Sequence, residues 1–187
     1  MWYLLFNTYR PKICLEIGVY RGQTLSLFQL LSRLYRFQSN IWGISPLNDE
    51  GDEESDYLKI NYKEDVNNNF DFFNLEKPNI LEEYSTSEKS IDFIKSSNWD
   101  LIYIDGNHNY EVVSNDAKNA INSLSENGIL VIDDSSLYTD FEYTNKNINT
   151  FKGHPGPSKV FETMMRDKKL TFLFGVGHNN IFINKNL

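Results

Sequence analysis

Short apolar runs alternate with stretches of helical periodicity along most of this chain. Residues 12–17 read as a buried strand, because Ile13, Cys14, Leu15 and Ile17 are apolar and a glycine closes the run. Residues 24–35 carry Leu25, Leu27, Phe28, Leu30, Leu31, Leu34 and Tyr35 at helical spacing. A second strand is expected over 40–45, stopped by Pro46. An acidic loop follows over 48–54, then a helix over 55–62. The stretch 70–84 is poorly patterned and holds a short strand near 80–83. Residues 87–96 fit a helix with Ser87 as its N-cap. Beyond it come a buried strand over 101–104, a helix over 110–124, a turn at Asn127-Gly128 and a strand over 129–132. Residues 139–158 read as irregular, 159–166 as a helix, and 170–174 with 180–183 as an antiparallel strand pair. Short buried strands alternating with helices predict an α/β fold with a mainly parallel sheet.

A length of 187 residues suits one domain, and neither a repeat nor a strong linker divides it. The net charge of −8 argues against sequence-independent nucleic-acid binding, which needs a basic patch. No apolar run nears the roughly 20 residues of a membrane helix. The apolar start, residues 1–6, lacks the basic region and cleavage site of a signal peptide. The lone Cys14 forms no internal disulfide and reads as a small buried hydrophobe, so a cytoplasmic location is expected.

In an open α/β sheet ligands bind at the carboxyl ends of the strands, so the residues just after each strand carry the chemistry. After the first stands Glu16-Ile17-Gly18-Val19-Tyr20-Arg21-Gly22-Gln23-Thr24. Its two glycines permit a tight turn, but it is neither the three-glycine dinucleotide fingerprint nor a Walker A loop. After later strands come Asp105-Gly106-Asn107-His108 and Asp133-Asp134. If their strands are neighbours, Asp105, Asp133 and Asp134 form a hard oxygen site for Mg²⁺ or a similar divalent cation; otherwise one caps a turn and the others are solvated. His154 and His178 sit in turn-rich loops and read as surface histidines, the loop around His154 being a candidate lid.

These blocks, 15–22, 100–110 and 127–134, resemble class I S-adenosylmethionine-dependent methyltransferases, in particular methyltransferase family 24, a group like the small-molecule O-methyltransferases. The resemblance covers about 12–135. It implies a Rossmann-like three-layer sandwich whose seven-stranded, mostly parallel sheet ends in an antiparallel C-terminal hairpin strand. It implies S-adenosylmethionine as cofactor, with Glu16, Gly18, Val19, Tyr20, Gly22 and Thr24 shaping its pocket. Ser45 ends the second strand, and Ser85, Thr86 and Ser87 follow the third, where relatives touch the adenine. Asp105, Asn107 and His108 complete the cofactor side. His108 and Asp105 are the implied catalytic residues, His108 as general base on an acceptor hydroxyl.

Three departures stand out. No acid directly follows the second strand to hold the ribose; Asp49, Glu50 and Asp52 are the nearest. Tyr20 replaces the middle glycine of the usual loop. The chain begins almost at its first strand, so one methyltransferase domain over 1–187 is expected without the N-terminal helical extension common in relatives. The acceptor site is then minimal, or a second subunit or partner completes it, with Trp2, Tyr3 and Phe6 as candidate contacts if they do not pack beneath the sheet. The expected reaction is O-methylation of a small hydroxylated molecule such as a sugar, with a metal as a candidate assistant. The alternatives are a non-catalytic or partner-dependent protein of this fold, and a metal-dependent nucleotide-sugar transferase. The last leaves the Gly18–Gly22 loop without a purpose.

Overall fold

A computed structural model describes residues 1–52, 54–55, 57–140 and 150–185. Its strands are Ile13–Ile17 (β1), Asn40–Ile44 (β2), Asn79–Leu81 (β3), Trp99–Ile104 (β4), Leu124–Ile132 (β5), Leu170–Val176 (β6) and Asn179–Asn184 (β7). Its helices are Trp2–Tyr9 (α1), Gln23–Leu34 (α2), Tyr62–Phe72 (α3), Glu88–Lys95 (α4), Tyr110–Ser123 (α5) and Pro155–Met164 (α6). The sheet runs β3-β2-β1-β4-β5-β7-β6. Every pair is parallel except those of β7, which lies antiparallel between β5 and β6. This is the expected Rossmann-like sheet. Strand order reverses between β1 and β4, which opens a crevice at their carboxyl ends.

Alternation along the central strands builds two cores. Cys14, Leu101, Tyr103, Ile129 and Val131 face α1, α2 and α3, packing on Leu5, Phe6, Phe28 and Phe70. Leu15, Ile17, Ile102, Ile104 and Ile132 face α4, α5 and α6, packing on Ile94, Ala117, Val160 and Phe161. Strands buried on both faces are why these runs are almost wholly apolar.

Several boundaries differ from the sequence reading. Residues 1–9 hold a helix, α1, that no capping side chain announces. It buries Phe6 against Phe28 and sets Trp2 edge-on to Phe28 and Tyr103, so these two pack beneath the sheet, while Tyr3 is left exposed. The helix expected over 55–62 is absent among the described residues. Helix α3 starts at Tyr62 instead, where the Asn61 side chain accepts the Glu64 N–H, and it buries Tyr62, Val66 and Phe70 at i, i+4 and i+8. The polar run Asn67-Asn68-Asn69 hides that stripe. Helix α6 begins at Pro155, inside the supposed turn, with proline in its first turn where the missing N–H costs nothing. Strand β5 begins at Leu124 and passes through Asn127, whose backbone is left-handed, with a register irregularity against β4. Ser87 caps α4 as expected. Residue 53 of the acidic loop, residue 56 of the expected helix and residues 141–149 of the irregular stretch lie outside the described residues. Among the described residues no helix is long and apolar enough to cross a membrane.

Cys14 is fully buried, its Sγ 3.4 Å from Ser39 Oγ, and burial pushes its thiol up to about 12. At pH 8 its thiolate fraction is then roughly three orders of magnitude below that of a free cysteine. Native protein should therefore stay unlabelled by iodoacetamide over the time that urea-unfolded protein reacts fully. Equal rates would contradict this packing.

Candidate active site

The first loop owes its shape to a close backbone approach. Gly18 has φ +101, and a Cβ there would stand 2.1 Å from the Asp105 carbonyl oxygen. Asp105 N–H donates to Ile17 O at 2.8 Å, and Gly18 N–H donates to Ile44 O at 2.9 Å. Three strand ends therefore meet at Gly18 with no room for a side chain. Helix α3 holds the far side of the loop: Asp65 pairs with Arg21 at 2.5 Å, and Asn69 Nδ2 donates to Arg21 O at 2.6 Å. Gly22 is the left-handed N-cap of α2.

Beside Gly18 lies a cavity of about 150 Å³. Of the residues expected at the cofactor, Gly18, Val19, Tyr20, Ser45, Ser85, Thr86 and Asn107 line it. Glu16, Gly22, Thr24, Ser87, Asp105 and His108 do not line it. Glu16 is buried beneath the loop; burial pushes its carboxyl up to about 8, against a smaller opposing pull from Thr24. Ser87 spends its hydroxyl on the α4 cap, accepting from Ser90 N at 3.2 Å. The Ser85 hydroxyl donates to Asp116 Oδ2 of α5 at 2.9 Å, which fixes the loop after β3.

Tyr57, Tyr62 and Tyr84 also line the cavity and carried no assignment from the sequence. Tyr20, Tyr57 and Tyr62 form a tilted aromatic wall with centroids 5.2–6.1 Å apart. Glu50 also lines the cavity. Tyr84 donates its hydroxyl to the Glu50 carboxylate and accepts from Asn48 Nδ2 at 2.9 Å. An acid is thus present in the cavity lining, supplied six residues after β2 ends. The density of tyrosines near 57–62 was the one signal in the sequence for this wall.

On the other side of Asp105, loops from β4, β5, α6 and the β6–β7 turn converge. Glycines allow it: a Cβ on Gly153 would stand 2.0 Å from Asp134 O, and one on Gly156 2.0 Å from His108 O. Asp134 itself is held left-handed at φ +49, with its carbonyl accepting from His154 N at 2.8 Å. Non-glycine residues in that region cost roughly 1–2 kcal/mol and persist only where surroundings impose them.

This packing gathers all three histidines on the Asp133-Asp134 pair, so His154 and His178 are not stray surface-loop residues. His108 sits between two carboxylates, Nδ1 2.9 Å from Asp52 Oδ2 and Nε2 3.0 Å from Asp134 Oδ2. Asp52 also accepts the His108 backbone N–H at 2.8 Å. Burial opposes charge on the His108 ring, but Asp134 and Asp52 outweigh it and hold its pKa above the ordinary value. His154 Nε2 lies 3.7 Å from Asp134 Oδ2, and its ring stands 4.2 Å from that of His108. His178 Nδ1 lies 2.8 Å from both Asp133 Oδ1 and Asp134 Oδ1. Two three-residue groups of cation-type donors result, His108–Asp134–His154 and Asp133–Asp134–His178. Asp105 belongs to neither. Desolvation and the neighbouring Asp133 and Glu16 carboxyls hold its carboxyl well above the carboxylate range. The structure thus brings Asp133 and Asp134 together with imidazole nitrogens, while the Asp105 carboxyl also meets that of Asp133. Nothing in the spacing of His154 and His178 marks them for this place; only the chain's return through α6 and β7 does.

The family described as a methyltransferase domain matches residues 15–135. An uncharacterized protein, R132, of Acanthamoeba polyphaga mimivirus is 29% identical over 133 residues, which is 69% of this chain. The chain spans about half of that relative, 52% of its length. The SAH-bound methyltransferase PaMTH1 of Podospora anserina superposes with a TM-score of 0.65 at 17% identity, covering 99% of this chain and 76% of that one. An O-methyltransferase of Bacillus cereus in complex with SAH superposes with a TM-score of 0.63 at 14% identity, covering 98% and 79%. At these identities the solved structures show a shared fold.

Proposed function

Because this chain belongs to the methyltransferase-domain family that its residues 15–135 match, we propose that it is an S-adenosylmethionine-dependent O-methyltransferase of a small hydroxylated acceptor. The observation that carries the reading is the cavity beside Gly18, bounded by Ser85 and Thr86 at one end and Glu50 at another. When bound, S-adenosylmethionine supplies a methyl group on a sulfonium, open to in-line attack by an acceptor oxygen. The chain's own groups suit that cargo. Glu50, oriented by Tyr84, takes the ribose hydroxyls. Ser85 and Thr86 border the adenine, and the carboxylates around the cavity favour a cationic ligand.

A second opening, lined by Asp52, Asn107, His108 and Val112, adjoins the first through shared walls and is the acceptor side. Asp52 holds the His108 ring at Nδ1, and Nε2 is the nitrogen that takes the acceptor proton when the hydroxyl replaces Asp134 as its partner. This is the orienting logic of a carboxylate–histidine pair. A divalent cation at Asp133-Asp134 would supply Lewis acidity towards the hydroxyl. A sugar is one acceptor of that class, and the lone buried thiol suits a cytoplasmic setting.

The test is calorimetric titration with S-adenosylmethionine and S-adenosylhomocysteine, followed by mass spectrometry of hydroxylated acceptors for one added methyl. Wild type should bind both ligands, and Glu50→Gln should weaken them about tenfold, the worth of one charge-assisted hydrogen-bond pair. No binding by wild type would overturn the reading. An unchanged affinity in Glu50→Gln would remove the ribose role alone.

A further inference from the structure

We infer that Asp133, Asp134 and His178 form a mixed nitrogen–oxygen site for a divalent first-row transition ion, in preference to Mg²⁺ held by carboxylates alone. Three observations converge on it. First, the donor atoms stand at ligand spacing. His178 Nδ1 is 2.8 Å from Asp133 Oδ1 and 2.8 Å from Asp134 Oδ1. Two donors about 2.1 Å from one ion and at right angles are about 3.0 Å apart. Second, the three atoms are buried and meet as an ion pair at 2.8 Å without hydrogen-bond geometry. A shared cation would satisfy all three at once in place of the imidazole proton. Third, the donors are held. Asp133 and Asp134 are each 9% exposed. Their other oxygens are already engaged: Tyr103 Oη donates to Asp133 Oδ2 at 2.8 Å, and His108 Nε2 lies 3.0 Å from Asp134 Oδ2.

The turn that carries His178 is fastened to the same segment. Ser135 N–H donates to His178 O at 2.9 Å, and Asn180 Nδ2 donates to Ser135 Oγ at 2.8 Å and to Ser136 Oγ at 2.9 Å. The His178 side chain is 38% exposed, which leaves an entry path for an ion. Imidazole nitrogen is what turns the selectivity. Mg²⁺ prefers an all-oxygen octahedron and keeps its waters, whereas Mn²⁺ through Zn²⁺ gain from a nitrogen donor.

Metal binding is measured on the tag-free protein without cofactor or acceptor, so the outcome is independent of methyl transfer. Co²⁺ is followed by its visible absorption, and Zn²⁺ and Mg²⁺ by calorimetry. Co²⁺ and Zn²⁺ should bind at least about tenfold tighter than Mg²⁺. His178→Ala and His178→Gln should each weaken Co²⁺ by at least about tenfold and alter its spectrum, while Asp105→Asn stays within about threefold of wild type. Far-ultraviolet circular dichroism establishes that each variant is folded. Three results would overturn the inference: no Co²⁺ binding to millimolar concentration, Mg²⁺ binding as tightly as Co²⁺, or loss in Asp105→Asn with none in the His178 variants.

Discussion

Gly18→Ala should cost about 3–5 kcal/mol of stability, whatever the protein binds. The added Cβ would stand 2.1 Å from Asp105 O and 2.4 Å from Gly106 Cα, both backbone atoms, and φ is +101. Nothing there can rotate aside, so β1 and β4 must part at the switch point. Gly22→Ala makes the control. Its φ is +78, and its new Cβ would meet Val66 side-chain carbons at 3.2 Å, which a small shift accommodates. That change should cost about 1–2 kcal/mol, the left-handed term alone. Urea unfolding of the two variants beside wild type separates them. Equal small losses would show that Gly18 is kept for a ligand and not for backbone approach. If the difference stands, loss of cofactor binding in a Gly18 variant says nothing about contact with the cofactor, and Glu50 becomes the better probe.

Asp116→Asn should flatten the pH dependence of stability, gaining on the order of 4 kcal/mol over wild type above pH 7 and little near pH 4. Burial in α5 pushes the Asp116 carboxyl up to about 7, against a smaller opposing pull from the Ser85 hydroxyl, and its Oδ1 has no hydrogen-bond partner. The sign follows from proton binding. Between the unfolded value of about 3.9 and the folded value the native state holds a proton that the unfolded chain has released, so stability falls as pH rises through that window. Glu16, raised to about 8, acts in the same direction, so the comparison is variant against wild type at each pH. The asparagine keeps an oxygen for Ser85 and places a neutral amide where the unpaired oxygen stood. Thermal melts at several pH values between 4 and 8 decide it; parallel curves for the two proteins would show that Asp116 titrates in the native state as it does in the unfolded chain.

How legible the molecule was depends on where the controlling interaction lies along the chain. The central strands were readable because each is buried on both faces, which forces unbroken apolar runs such as Leu101–Ile104 and Ile129–Ile132. Helix α5 was readable from its spacing, with Val113, Ala117 and Ala120 buried on one side. Helix α1 was not, because eight residues without capping side chains carry little local signal and its stability comes from setting Phe6 on Phe28. Helix α6 was read short because Pro155-Gly156-Pro157 looks like a turn until Gly156 is seen to press on the His108 carbonyl.

The site divides in the same way. By itself the sequence determined the alternating sheet, the glycine loop after β1 and the acids that close β4 and β5, since each depends on neighbours within a few residues. Only the tertiary structure decided their company. Half-buried Asp105 stands beside Glu16 and Asp133, and desolvation with those carboxyls raises its pKa well above the usual carboxylate range. Glu50 reaches the cavity through Tyr84, 34 residues further along. His154 and His178 meet Asp134 because α6 and β7 bring the chain back over the carboxyl end of β5. Contacts of that range are set by sheet order and by glycine-permitted backbone approach, and neither leaves a periodic mark in the local sequence.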